Sequence, residues 1–279
     1  MEEARVAQAR ARRNRAITVG AGLVAAVLIL FAIVAIVSNK DDSTTVDATG
    51  SPTTIATDGS TAPGTTAPGT TAAGATPVSV PAPAAGAKIS GDTPCPPADG
   101  SAERTTSFAK APPTCIDPAK TYTATITTSE GDIVLSLDAK QSPIAVNNFV
   151  VLARYHFFEG IPFHRIVPGF VDQTGDPEAT GGGGPGYDLP DEEPTRAYAA
   201  GDVAMARGEK VSGSQFFFTI DPAPLNNTVQ SKQPAYPILG TATSGQDIVQ
   251  KINAFGSDDG GTGAPTKVVT ITKVSITET

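Results

Sequence analysis

Between residues 41 and 93 the chain carries almost no large apolar side chain. Thr, Ala, Pro, Gly and Ser fill the stretch, and Thr61-Ala62-Pro63-Gly64-Thr65 repeats at once as Thr66-Ala67-Pro68-Gly69-Thr70. Such a segment has too little apolar area to offset the entropy of ordering its backbone, so it reads as a disordered tether. A flexible chain of this length spans on the order of 40 Å. Apolar surface can then be buried in two places only, residues 17–37 before the tether and the region from about residue 116 onward. The expected organisation is a basic segment 1–16, an apolar span 17–37, a linker 38–93, a cysteine-bearing arm 94–119 and one folded domain 120–279.

The 17–37 run holds 21 residues without a charge, mostly Ala, Val, Leu and Ile. At about 1.5 Å rise per residue, roughly 20 such residues cross a bilayer core. The apolar core of a cleaved signal peptide is shorter, roughly 7–15 residues. Cleavage remains the alternative, although the small residues of Ala32-Ile33-Val34-Ala35 sit inside the run. Residues 1–15 contain five Arg and two Glu, a charge of +3, and Lys40-Asp41-Asp42 follow the span. The positive-inside bias puts the N-terminus in the cytoplasm and the domain outside. The expectation is a single-pass protein of the cell membrane, with the lipid bilayer contacted through 17–37. The whole chain carries −8, which leaves −11 beyond residue 15. An acidic domain repels phosphates, which argues against nucleic acid as a partner. No heptad or large amphipathic surface is visible, and a monomer is expected.

Cys95 and Cys115 are the only cysteines. In the extracytoplasmic topology just argued, disulfides persist. A bond between them closes a loop worth roughly 3 kcal/mol in the chain-entropy account. Two free thiols are the alternative. A redox motif would need Cys-x-x-Cys, and a zinc site more His than the two present, neither of which is near in sequence. No metal or other cofactor is expected.

From Ile116 onward the texture changes. Residues 122–127 alternate and are β-branched, Glu130-Gly131 marks a turn, and 132–137 returns as a hairpin partner. Ser142-Pro143 reads as an N-cap with Pro at the first helical position, and Ile144, Val146, Phe149, Val150 and Ala153 give that helix an apolar face. Strands are expected at 163–167, 203–206, 215–220 and 237–239, a second helix at 246–252, and a closing strand at 268–276. The Gly-rich run 181–186 is loop; it lacks the Lys-Ser/Thr of a phosphate-binding loop and the helix that follows one. Many short strands with two helices suit a mainly β fold, a closed eight-stranded barrel capped by two helices.

The chemistry concentrates in Phe163-His164-Arg165-Ile166-Val167-Pro168-Gly169-Phe170-Val171-Asp172-Gln173, followed by Met205-Ala206-Arg207 and Gly213-Ser214-Gln215-Phe216-Phe217-Phe218. With Asn147-Asn148-Phe149 before them, these motifs resemble those of the cyclophilin-type peptidyl-prolyl cis-trans isomerases, in a membrane-anchored bacterial form. The resemblance covers most of 120–279. It implies a cyclophilin-like barrel with Arg165 as the catalytic residue. It also implies Phe170, Val171, Phe217, Leu225 and Tyr236 as the proline pocket, Gln173 and Gln215 as polar residues beside it, and Ala206 and Arg207 as the strand that takes the peptide backbone. Substrates would be proline-containing peptides and unfolded proteins.

The residue types fit that chemistry. An X–Pro bond turns slowly because amide resonance sets a barrier of about 18–20 kcal/mol. No bond breaks, so neither nucleophile nor metal is needed. A guanidinium aimed at the prolyl nitrogen stabilises the twisted state, in which resonance is lost, and it keeps its charge at ordinary pH. Phe216, Phe218 and Phe163 are read as core and His164 as a satisfied structural histidine; neither His164 nor His156 is required. Asn226-Asn227-Thr228 is a glycosylation sequon. The chain has no Trp, and Pro224 stands where many relatives carry the one that contacts cyclosporin. The departures at 225–237 keep one alternative open, a non-catalytic module that holds proline-rich segments as a chaperone; a structural role for the tether is another.

Overall fold

The computed structural model describes residues 76–230, 234–257 and 261–279. The basic segment 1–16, the apolar span 17–37 and the linker up to residue 75 lie outside the described residues. Among the described residues no helix is long and apolar enough to cross a membrane.

Alternation dictates the first hairpin. In β3 (Tyr122–Thr128) and β4 (Gly131–Leu137) every second residue is buried, and the strands pair in register from Tyr122–Leu137 to Thr128–Gly131. The turn is fixed by one hydroxyl: Thr128 Oγ1 accepts from Glu130 N and Gly131 N and donates to Gly131 O. Helix α1 (Pro143–Arg154) follows, starting at the proline as expected. Its cap differs from expectation. Ser142 makes no side-chain cap bond, and instead the Glu192 carboxylate accepts from Ile144 N and Ala145 N, both at 2.8 Å. An anion at a helix N-terminus meets both the orphan N–H groups and the dipole. Ile144, expected on the apolar face, is exposed beside this cap, while Val146, Phe149, Val150 and Ala153 are buried.

The remaining strands are β5 (Arg165–Val167), β6 (Val171–Thr174), β7 (Asp188–Leu189), β8 (Asp202–Arg207), β9 (Val211–Thr219), β10 (Ile238–Ser244) and β11 (Ile271–Glu278). Two further helices, α2 (Ala223–Gln230) and α3 (Gln246–Asn253), lie among them. One antiparallel sheet runs β11-β3-β4-β10-β8-β9-β6-β5, with β7 added on β9. It curls around a core that includes Phe149, Phe158 and Phe216, whose rings meet at 5.1–5.6 Å.

The expected closed ring is therefore corrected to a curled nine-stranded sheet whose end strands share no ladder. The chain before β5 meets the chain before β11 through the single Pro162–Thr270 bridge, with Phe163 N donating to Val269 O. Proline has no N–H to extend a ladder at that seam. Among the described residues of the domain three helices stand where two were expected, and β6, β7 and α2 were not anticipated.

The arm also begins earlier than expected. Strand β1 (Ala87–Ile89) falls inside the segment read as linker, and pairs in parallel with β2 (Thr105–Phe108). Polar partners fasten this apolar-poor stretch: Arg104 Nη1 donates to Ala84 O, Gly86 N to Thr106 Oγ1, and Val78 N to Pro265 O. Cys95 and Cys115 are joined, with Cα atoms 5.4 Å apart.

Candidate active site

Successive residues of a strand face opposite ways, and here the two faces have different contents. On β9, Phe216 and Phe218 enter the main core, while Phe217 belongs to a second, smaller apolar cluster. On β8 the same split sends Val203 and Met205 inward and Ala204 and Ala206 to the second cluster. Strand register then sets a single row. Arg165 faces Gln173 across β5 and β6, Gln173 faces Phe217 across β6 and β9, and Phe217 faces Ala204 across β9 and β8. A cation, an amide, an aromatic ring and a small side chain thus follow one another across four strands.

The second cluster gathers Val171, Ala206, Phe217 and Leu225, with Phe170 and Tyr236 packed against it. All six were expected at the site from sequence. Phe217 and Tyr236 meet edge to face at 5.3 Å. Sequence reasoning missed Tyr198, which is buried in this cluster. Its hydroxyl donates to Tyr236 O at 2.9 Å and accepts from Tyr236 N at 2.8 Å, and Asn226 holds the Tyr198 backbone at both N and O. Tyr236 is placed by that pair of bonds. Arg207 stands at the end of β8, but its side chain is buried and committed. It pairs with Asp191 Oδ1 at 2.9 Å and donates to Ala235 O at 2.9 Å, so what it offers at the strand end is backbone.

A polar chain supports the row. Gln173 Nε2 donates to Gln215 Oε1 at 2.8 Å, and Gln215 Nε2 donates to Gly183 O at 2.8 Å and Gly181 O at 3.1 Å. The same two glycines give their N–H groups to the carboxylate of Asp176, at 2.6 Å from Gly181 and 3.2 Å from Gly183. Glu178 N and Thr180 N donate to it as well. Burial acts to raise the Asp176 pKa, but the backbone donors prevail and hold it below the ordinary value. The Gly-rich run therefore spends two of its N–H groups on an internal carboxylate and a third, from Gly182, on Thr180 Oγ1. At Gly183 a Cβ would collide with Asp176, so only glycine fits. Beside Gln215 a groove of about 750 Å³ runs between this loop and 208–213, edged by Glu178, Asp188, Glu209 and Lys210.

The hairpin carrying Arg165, Phe170 and Gln173 is clamped from α3. Asn253 Oδ1 accepts from Gly169 N at 2.8 Å, and Asn253 Nδ2 donates to Val167 O at 3.0 Å and Asp172 Oδ1 at 2.7 Å. Asp172 is fully buried between Val171 and Gln173, and its second oxygen has no partner. Burial pushes its pKa up to about 7, against the opposing hydrogen bond from Asn253. Gly263, at φ +78°, lies against Arg165: a Cβ there would stand 2.8 Å from Arg165 Cγ.

His164 differs from expectation. Both ring nitrogens are buried with no hydrogen-bond partner, and burial lowers its pKa. Asp176 and Gln215 act to raise it but do not offset the burial, and Gln215 directs its Nε2 donor to the loop carbonyls. His156 is partnered by Glu159 Oε1 and Gly100 O, both at 2.8 Å, with its pKa raised chiefly by Glu159. Among the described residues no three His, Cys, Asp or Glu side chains gather as a metal-binding group.

Comparison with known proteins agrees with this geometry. Residues 123–276 match the family model of the cyclophilin type peptidyl-prolyl cis-trans isomerases. A peptidyl-prolyl cis-trans isomerase of Synechococcus elongatus is 42% identical over 102 residues, which is 36% of this chain and 70% of that protein. The probable peptidyl-prolyl cis-trans isomerase B of Mycobacterium tuberculosis is 36% identical over 177 residues, 57% of this chain and 55% of that one. Among solved structures, a Cryptosporidium parvum cyclophilin type peptidyl-prolyl cis-trans isomerase superposes with a TM-score of 0.50 at 27% identity, covering 56% of this chain and 98% of its own. The chain belongs to the cyclophilin-type peptidyl-prolyl cis-trans isomerase family.

Proposed function

We propose that this chain isomerises X–Pro bonds in proteins outside the cytoplasmic membrane, with Arg165 as the catalytic residue. The row from Arg165 through Gln173 and Phe217 to Ala204, alongside the apolar cluster, is the observation that carries the reading. Phe217, Val171, Leu225 and Tyr236 grip the pyrrolidine ring. Arg165 donates to the prolyl nitrogen as its lone pair leaves resonance, so the bond is tighter in the twisted state than in either planar one. Gln173, aimed by its bond to Gln215, meets the peptide's polar groups, Gln215 keeps only acceptor capacity at Oε1 for a peptide N–H, and the backbone at Ala206 and Arg207 extends alongside.

The location rests on the uncharged 17–37 run and the five arginines before it. The domain works as a monomer on proline-containing and unfolded chains, and the linker lets it reach them. Activity of the full-length chain on a proline tetrapeptide tests the chemistry. In Arg165→Ala the rate should drop about a hundredfold, as expected of one preorganised donor. Background turnover in both proteins, with peptide still bound, would favour the holding module instead. Protease digestion of intact cells tests the topology: a domain resistant until the membrane is opened refutes the extracytoplasmic placement.

A further inference from the structure

The family match begins at residue 123, yet the ordered arm before it reaches the active-site loop. Inside the ring closed by Cys95 and Cys115, Phe108 is 2% exposed. Its ring packs edge-on against Tyr155 at 5.4 Å and Tyr187 at 6.4 Å. Phe108 N donates to Pro185 O at 2.7 Å, and any Cβ on Gly186 would strike Phe108 O. The arm backbone thus lies directly on the end of the Gly-rich loop. The other end of that loop presents the Gly181 and Gly183 carbonyls to Gln215, and Gln215 holds Gln173.

Two adjacent asparagines of α1 join the arm to the loop. Asn147 Oδ1 accepts from Cys115 N at 2.7 Å and from Ile116 N at 3.2 Å, while its Nδ2 donates to Pro113 O. Asn148 Oδ1 accepts from Tyr187 Oη at 2.7 Å, and its Nδ2 donates to Gly213 O at 2.7 Å. On the far side Tyr155 Oη donates to Pro94 O, next to Cys95. The disulfide therefore closes a brace that is fastened at one end to Asn147 of α1 and at the other to Tyr155, the residue that caps α1, and that bears on residues 185–186 in the middle.

We propose that this disulfide-closed arm is a positioning element for the isomerase site, with Phe108 its contact residue, acting through the Gly-rich loop on Gln215. The inference rests on the isomerase reading above. A loop carbonyl displaced by a fraction of an ångström misaims the Gln215 amide, and the cost appears in peptide binding and orientation rather than in Arg165 itself.

The test is a double-mutant cycle in the full-length chain. Cys95→Ser with Cys115→Ser removes the closure, and Phe108→Leu, which keeps the disulfide, removes the ring contact with a smaller lesion should the first variant fail to fold. Each is assayed on a proline tetrapeptide well below its melting temperature, in the native background and in Gln215→Ala. The expected result is a loss of kcat/KM of roughly tenfold in the native background, seen mainly in KM, and little further loss once Gln215 is gone. Equal losses in both backgrounds, or none in either, overturn the proposal and leave the arm a scaffold. An unmutated chain without turnover refutes the isomerase reading and the proposal with it, whereas turnover indifferent to the arm refutes the proposal alone.

Discussion

Asp172 offers a quantitative test of how the hairpin that carries Arg165 is held. Its carboxyl is fully buried, with one hydrogen bond from Asn253 Nδ2 and one oxygen left without a partner. It faces Ile166 on β5, Phe218 on β9 and Asn253 on α3; Lys251 of the same helix pairs away with Glu130, and Asp247 is exposed. Among the described residues no cation offsets the charge, so burial raises the pKa from 3.8 to about 7, against the bond from Asn253. Between those values the native state holds the proton that the unfolded chain has released. Stability must then fall as pH rises from about 4 to about 7 and level off above. At about 1.4 kcal/mol per tenfold change in proton affinity, the effect reaches about 4 kcal/mol. Asp172→Asn keeps an oxygen to accept from Asn253 and cannot ionise. Urea denaturation of both proteins from pH 4 to pH 8 should show the variant gaining on the native chain by up to that amount, while titrations elsewhere cancel in the difference. A stability difference that stays constant over this range would refute the reasoning.

Other consequences follow from single contacts. Tyr198→Phe removes the hydroxyl that serves both Tyr236 N and Tyr236 O, leaving two polar groups to find water at a cost of about 1–3 kcal/mol. Peptide KM should rise several-fold with kcat less affected, and an unchanged KM counts against Tyr198 as the residue that places Tyr236. Gly263→Ala drives a methyl into Arg165 Cγ and strains a backbone at φ +78°, so kcat should fall well beyond any change in melting temperature; full activity would mean the guanidinium is held from elsewhere. Cyclosporin should bind weakly, because Pro224 precedes the buried Leu225 and no Trp exists in the chain. A nanomolar dissociation constant by calorimetry would overturn that expectation.

Where periodicity was strong the sequence was a good guide. The alternation of 122–127 against 132–137 fixed a hairpin, and Pro143 marked the first residue of α1. It misled where a distant partner replaces a local one. Ser142 looked like a cap, but the carboxylate that does the capping belongs to Glu192, nearly fifty residues away. Residues 87–89 looked like tether because their apolar content is low, yet they order by lending backbone groups to 104–106. The site divides in the same way. Arg165, Gln173, Gln215 and Phe217 belong to compact motifs and were legible. Tyr198, Asp176 and Asn253 were not: Tyr198 and Asn253 act through bonds to backbone far along the chain, and Asp176 gathers N–H groups that converge only once its loop has folded back.

That division has a physical cause in the sheet itself. A strand offers two faces, and here one face of β8 and β9 is committed to the main core while the other builds the second cluster. Each residue of 215–218 is constrained on one side only. Phe216 and Phe218 answer to the volume of the main core, Phe217 to the second cluster, and Gln215 to the polar chain beside it. Two interleaved demands at period two produce the dense Gln-Phe-Phe-Phe signature, which is why the motif is short and specific. The supports need no such density. A loop can be pinned by one buried carboxylate, as Asp176 pins 178–183, and a turn by one amide, as Asn253 pins 167–169. Such supports read as isolated polar residues until the fold brings the backbone groups to them. Asp172 is the place where the two demands collide: it faces Phe218 from a strand whose neighbour Val171 belongs to the second cluster, and it carries a carboxyl the core cannot solvate. The clamp from Asn253 satisfies half of that carboxyl, and the unsatisfied half makes this hairpin the part of the site whose stability should follow pH.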